Sequence, residues 1–257
     1  MRLVGKADLV EYLADLTASL DGRIVSVFFD LDGTLRHNFP SPTDTLIDQA
    51  VTLGLTDGVN KRRRVARWTH YYWAQSQELT QDRESFPDDT NFWQNYIFRS
   101  LVEFECTQDC AQVMAPDLHR YMSEEFSAQN VIPEDVRPTL NLLREAGYRL
   151  ALLSNRSEPC HAELQEWDLA EFFEFTLVAG EISAWKPDPG LFLHALEHLG
   201  IKAEAAIYIG DNYYADVVGA RRAAIQPVLI DPDQVFQDVD CPVIRNIGEL
   251  SILADIR

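Results

Sequence analysis

Short apolar runs that close on polar residues, separated by stretches of helical periodicity, constrain this chain more than any other feature. Residues 23–29 (Arg-Ile-Val-Ser-Val-Phe-Phe) are β-branched and aromatic with no polar face, the pattern of a strand buried on both sides, and they end on Asp30. From Pro133 the rhythm repeats. The pattern predicts a helix over 138–146 stopped by Gly147, a strand over 148–153 ending at Ser154-Asn155, a helix over 161–167 and a short strand over 175–178. A helix over 188–199 follows, with Asp188 as its amino-terminal cap, Pro189 at the first helical position and Gly200 as its stop. Next come a strand over 206–209 closing on Gly210-Asp211, a helix over 215–224 and a last clear strand over 227–230. Strands alternating with helices of this length require right-handed crossovers, so the expected core is a parallel sheet flanked by helices on both faces.

Two stretches stand outside that rhythm. Residues 7–20 carry Leu9, Val10, Leu13, Leu16 and Leu20 at helical spacing before Asp21-Gly22, which predicts a short amphipathic helix. Phe39-Pro40-Ser41-Pro42 reads as a linker, and residues 43–129 are polar, aromatic-rich and helical in period, with no strand pattern. The domain reading is therefore a core of residues 1–38 and 130–257 interrupted by an all-helical insert of residues 39–129.

Composition excludes several function classes. With 257 residues, 46% of them apolar, the chain can bury a sizeable core. A formal charge of −19, from 22 basic and 41 acidic residues, repels phosphate backbones and anionic lipid, which argues against nucleic acid and membrane partners. Lys61-Arg62-Arg63-Arg64, close to Trp68, His70, Tyr71, Tyr72 and Trp73, is the one basic run, and it reads as a solvated or cleft-facing helix surface. Cys106, Cys110, Cys160 and Cys241 have neither disulfide-framework nor zinc-ligand spacing. With no signal-like leader and no window of about 20 apolar residues, the expected location is the cytoplasm.

The polar residues at the strand ends carry the chemistry, because ligands of such sheets bind outside the carboxyl ends of the strands. Asp30 and Asp32, separated by one residue, repel each other unless a cation sits beside them or one takes up a proton. Gly33 lets the chain turn, and Thr34 adds a hydroxyl. An ionised Asp30 is a candidate nucleophile toward phosphorus, and Asp32 a candidate general acid and base. Asp211 adds the negative charge that favours a hard divalent cation, predicted to be magnesium. Ser154, with Asn155 beside it, and Lys186 are candidate ligands of phosphoryl oxygens, as is Thr34.

Asp30-Leu31-Asp32-Gly33-Thr34-Leu35, Ser154-Asn155, Lys186-Pro187-Asp188-Pro189 and Gly210-Asp211-Asn212-Tyr213-Tyr214-Ala215-Asp216 resemble, in order, the four motifs of the haloacid dehalogenase superfamily. The insert resembles the helical cap of its phosphatase branch in position and helical character. The resemblance implies an α/β, Rossmann-like parallel sheet core flanked by helices, in which Asp30 is the nucleophile and Asp32 the acid/base. It also implies magnesium held by Asp30, the backbone carbonyl of Asp32 and Asp211, with Asp216 supporting the metal site. Asn212 departs from the serine common at its position, and Arg36-His37 from the acidic or aromatic residues usual after the first motif. The expected activity is magnesium-dependent hydrolysis of a small phosphorylated metabolite through an aspartyl phosphate, with the cap closing to exclude water. A phosphomutase shares this core; a haloacid dehalogenase needs no acid at Asp32; a non-catalytic binding module would not need the whole set. Cap residues Arg62, Arg64, Trp68, His70, Tyr72 and Trp73 are the candidates for substrate selection.

Overall fold

A computed structural model describes residues 24–256 of the chain. The helix expected over residues 7–20 lies outside the described residues. The chain divides into two compact units, one formed by the chain up to His37 and from Ile132 onward, the other by Asn38–Val131.

The first unit is built on β1 (Ser26–Phe29). The chain leaves it through β2 (His37–Phe39) and the second unit, and returns through β3 (Gln129–Val131), which pairs with β2 in a two-stranded ribbon. The second unit consists of α1 (Pro42–Thr52), α2 (Val59–Trp73), α3 (Gln77–Ser85), α4 (Asp89–Glu103) and α5 (Gln108–Glu124). The local sequence sets where four of these helices begin. Ser41, Ser76, Asp88 and Thr107 each accept a hydrogen bond from the backbone N–H three residues on, satisfying a donor that the first turn leaves open.

In the first unit the chain continues as α6 (Val136–Glu145), β4 (Arg149–Ser154), α7 (His161–Glu166), β5 (Phe175–Val178), α8 (Ala179–Ile182), α9 (Gly190–Leu199) and β6 (Ala206–Gly210). Then come α10 (Val218–Arg222), β7 (Gln226–Ile230), β8 (Val243–Ile244) and α11 (Ile252–Ile256). The sheet order is β5-β4-β1-β6-β7-β8, every pair parallel. From β1 the strands run outward to β4 and β5, and the chain then restarts on the other side of β1 with β6. The order therefore reverses between β1 and β6, where such sheets open a crevice.

Side-chain alternation divides β1 between two layers. Val27 and Phe29 join Leu140 and Leu143 of α6 on one face; Phe28 joins Leu191, Phe192 and Ala195 of α9 on the other. Both faces are covered, which is why residues 23–29 show no polar alternation. Each fully buried phenyl ring contributes about 1.5–3 kcal/mol.

The differences from the sequence reading have local causes. α6 starts two residues before Pro138, because a proline in the first turn removes an N–H that would have no helical partner anyway. β7 is not the last strand: the two-residue β8 adds to the sheet edge, too short to be legible as a pattern. The helix expected over 215–224 begins instead as a π turn, Tyr213–Val217, ahead of α10. Asn212 caps that turn, accepting from the N–H groups of Tyr214 and Ala215.

The basic run of α2 has its own acidic partners within the second unit. Arg62 pairs with Asp48 and Asp57, and Lys61 and Arg64 with Glu105. Trp68 and Tyr72 are buried among Trp73 and Tyr96, with ring centroids 4.9–5.4 Å apart. The Tyr72 hydroxyl donates to Asp82, itself buried and paired with Arg99. No helix among the described residues is long and apolar enough to cross a membrane.

Candidate active site

The carboxyl ends of β1, β4 and β6 converge on one lysine. Lys186 is 2% exposed, and its Nζ lies 2.6 Å from Asp30 Oδ1, 2.7 Å from Asp216 Oδ1, 2.8 Å from the Tyr208 hydroxyl and 3.2 Å from the Leu153 carbonyl. Asp30 follows β1, Leu153 is the penultimate residue of β4, and Tyr208 is the middle residue of β6. Burial disfavours an ammonium here, but Asp216 and Asp30 outweigh it and hold Lys186 charged above its ordinary range.

Backbone elements fix this arrangement. Asn155 accepts from the Lys186 N–H at 2.7 Å and donates to the Lys186 carbonyl at 2.9 Å, so both ends of its amide are spent holding that loop. The π turn brings Asp216 back over the end of β6, where its second oxygen accepts from the Asn212 N–H at 2.9 Å. Gly33 has φ 90°, and a Cβ there would run into the Asp211 carboxylate, so the turn after Asp30 can approach Asp211 only as glycine. Thr34 is buried, with its hydroxyl 3.4 Å from Asp30 Oδ2. Ser154, also buried, is the last residue of β4.

Oxygens of Asp30, Asp211 and Asp216 lie within 4.8 Å of one another. Three carboxylates against one ammonium leave two negative charges in excess in a poorly solvated place. The strain is visible in the acids themselves. Burial pushes the Asp30 carboxyl up to about 7, with Lys186 opposing and Asp216 adding to the effect. Asp211 is raised well above its ordinary value by burial, then by Asp30 and Asp216. A hard divalent cation with oxygen preference fits both this donor set and its charge deficit.

Asp32 does not share Asp30's surroundings. β1 ends at Phe29, and a tight turn closes through hydrogen bonds from Leu35 N and Arg36 N to the Leu31 carbonyl. The Asp32 carboxylate turns to arginines instead: Arg156 Nε is 2.7 Å from Oδ2, Arg156 Nη2 2.8 Å from Oδ1, and Arg36 Nη1 3.1 Å from Oδ1. Asp30 and Asp32 thus take different cationic partners, while the Asp32 charge is still felt at Asp30.

Chemistry-bearing residues thus fall into two groups, of which the smaller is Asp32 with Arg36 and Arg156. Asp30, Thr34, Lys186, Asp211 and Asp216 are drawn together, with Ser154 and Asn155 on the adjoining strand end. Tyr208 and Arg156 are absent from the sequence reading. Tyr208 looks like any aromatic in a buried strand; Arg156 directly follows Ser154-Asn155, and that adjacency was the available signal. Of the residues named for substrate selection, Trp68 and Tyr72 are buried and Arg62 and Arg64 are ion-paired, while His70 and Trp73 are half-buried.

The family model for haloacid dehalogenase-like hydrolases matches residues 24–224, a span that includes every one of these residues. The chain is a haloacid dehalogenase-like hydrolase. Among relatives, a glyceraldehyde 3-phosphate phosphatase of Methanopyrus kandleri is 33% identical over 130 residues, 50% of this chain and 55% of that one. A phosphoserine phosphatase of Thermus thermophilus is 33% identical over 158 residues, 60% of this chain and 62% of that one. The matched stretches thus span little more than half the length of these two relatives. The crystal structure of a 2-haloacid dehalogenase from Pseudomonas syringae superposes with a TM-score of 0.52 at 26% identity, covering 91% of this chain and 99% of that one. A magnesium-bound HAD-hydrolase of Bacillus subtilis, YfnB, shares the fold, with a TM-score of 0.55 at 18% identity over 91% of this chain and 99% of that one.

Proposed function

We propose that this hydrolase is a magnesium-dependent phosphatase of a small phosphorylated metabolite, working through an aspartyl phosphate on Asp30. The observation that carries the reading is the buried Asp30, held at 2.6 Å by Lys186 in a cluster two positive charges short of neutrality. The activities named for the relatives, on glyceraldehyde 3-phosphate and phosphoserine, support a small phosphorylated metabolite as the substrate class.

In the first step an Asp30 oxygen attacks phosphorus as the bond from phosphorus to the substrate oxygen breaks, and Asp32 gives that oxygen a proton. In the second, water attacks the same phosphorus, Asp32 takes back a proton, and the bond to Asp30 breaks to release inorganic phosphate. Lys186 bridges Asp30 and Asp216, offsets their mutual repulsion and counters charge on the transferring group, with Ser154 and Thr34 as hydroxyl donors to its oxygens. Asp30, Asp211 and the Asp32 carbonyl would hold magnesium, supported by Asp216, and the ion would supply charge neutralisation and keep Asp30 ionised.

The presence of Asp32 favours phosphoryl transfer over attack on carbon, which needs no acid beside the nucleophile. Purified protein with magnesium and a panel of sugar, nucleotide and acid phosphates should release phosphate, and Asp30→Asn or a chelator should abolish the release. Turnover that survives Asp30→Asn, or chloride release from a haloacid without phosphate release, would refute the assignment.

A further inference from the structure

Arg156 makes the most ordered contact that Asp32 has, and nothing in the two-step chemistry uses it. We propose that Arg156 is a positioning residue that fixes the Asp32 carboxyl for proton transfer to the leaving oxygen; the inference rests on the reading of Asp32 as the acid and base.

Geometry carries the argument. Arg156 presents Nε and Nη2 to the two oxygens of Asp32 at 2.7 and 2.8 Å, a parallel fork that sets the plane of the carboxyl as well as its distance. Its remaining nitrogen, Nη1, is 3.2 Å from Glu163 Oε1 on α7. All three nitrogens are therefore engaged, and the guanidinium acts through Asp32 rather than on a substrate. Beneath it lies Trp167, with the Arg156 carbon 5.8 Å from the ring centroid and that of Arg36 5.9 Å from the same ring. Arg137 donates to the Trp167 carbonyl at 2.6 Å and so holds the residue that supports both arginines.

The loop that carries Arg156 is held equally firmly. The Arg156 carbonyl accepts from the Gly180 N–H at 3.0 Å, and a Cβ at Gly180 would collide with the neighbouring Ser157 carbonyl. Arg36 adds one contact from within the turn that bears Asp32, whereas Arg156 reaches it from a loop 124 residues away. Stability alone does not account for the pair: the Asp32 side chain is 36% exposed, and an ion pair so open to solvent contributes about 0–1 kcal/mol to a fold, whereas the fork also fixes orientation. A carboxyl that must meet a leaving oxygen in one orientation profits from a fork, because small misplacements erode proton transfer, and Oδ2, which accepts from Arg156 Nε alone, keeps a lone pair for the proton it delivers and takes back.

The test separates proton delivery from every other step by leaving group. kcat/KM, which reports the first chemical step, is measured for p-nitrophenyl, phenyl and glycerol phosphates with the native enzyme, Asp32→Asn, Arg156→Ala, Arg156→Lys and Glu163→Gln. p-Nitrophenolate leaves without protonation; the other leaving groups need it. Arg156→Ala should lower kcat/KM roughly tenfold or more for phenyl and glycerol phosphates, a part of the 10²–10⁴-fold that a positioned acid supplies, and less than about twofold for p-nitrophenyl phosphate. Arg156→Lys should fall in between, Glu163→Gln should follow in the same direction with a smaller effect, and added guanidinium ion should restore part of the Arg156→Ala loss. A steep leaving-group dependence in Asp32→Asn with none in Arg156→Ala, whether that variant slows all esters alike, leaves them unchanged or quickens them, overturns the positioning role while leaving the acid assignment intact. No dependence in Asp32→Asn overturns both. Should Arg156→Ala fail to fold, Arg156→Lys and Glu163→Gln decide by the same comparison.

Discussion

Lys186→Met removes the ammonium from the centre of the site and leaves an apolar stem of similar length. In the native chain that charge lies 2.6 Å from Asp30 and 2.7 Å from Asp216, and all three side chains are almost wholly buried. At an effective dielectric near 20, each attraction is on the order of 6 kcal/mol before desolvation is charged against it. Breaking a buried pair by removing one partner costs a net ~3–5 kcal/mol, because the partners stay behind uncompensated. At about 2–4 °C per kcal/mol for a chain of this size, the thermal midpoint should fall on the order of 6–20 °C. Calorimetry of both proteins in chelator at pH 8 measures this directly. The loss should be smaller at pH 5, since protons can then take the ammonium's place on the carboxylates. Magnesium should recover more in the variant than it adds to the native protein, because the variant's cluster lacks three positive charges rather than two. Midpoints within about 2 °C of each other in chelator at pH 8 would refute the claim that Lys186 neutralises this cluster.

Two further outcomes follow from burial. Cys106, Cys160 and Cys241 are buried, and burial is the main reason that their thiols are pushed up to about 11, 11 and 12, so an aromatic disulfide reagent at pH 8 should label only the half-buried Cys110 quickly and all four thiols after denaturation. Rapid labelling of more than one native thiol would contradict the packing around them. His37 is held below its ordinary value by burial and then by Arg36, with Asp135 and Asp233 opposing. The unfolded chain therefore binds the proton more readily than the folded one, so this group's contribution is complete above about pH 6.5 and is lost as pH falls through the folded value. Denaturant melts of native protein and His37→Gln between pH 5 and 8 should show a shallower acid-side loss in the variant; parallel curves would remove His37 from the account.

What was legible in the sequence was whatever depends on neighbours along the chain. Apolar runs without a polar face announced strands buried on both sides, and Gly200 adopts the left-handed conformation that ends α9; the caps Ser41, Ser76, Asp88 and Thr107 are equally local, but the helical period of residues 43–129 did not single them out. Where a local rule had two outcomes, boundaries moved by a residue or two, as at Pro138, or the element changed character, as in the π turn at Tyr213–Val217. The charge of the basic run said nothing about its partners, because Asp48, Asp57 and Glu105 reach it only when the helices pack.

The candidate site divides along the same line. Sequence determined that Asp30, Ser154 and Asp211 stand at strand ends, because strand periodicity and polar termination are local, and parallel strands put those ends on one edge of the sheet. Only the tertiary structure decided which cation each acid meets. Asp30 and Asp32 are two residues apart in the chain, yet one is drawn to Lys186 from 156 residues away and the other to Arg156 from 124. Electrostatic partnership depends on distance in space and on exclusion of water, and neither is set until the chain has closed around the site.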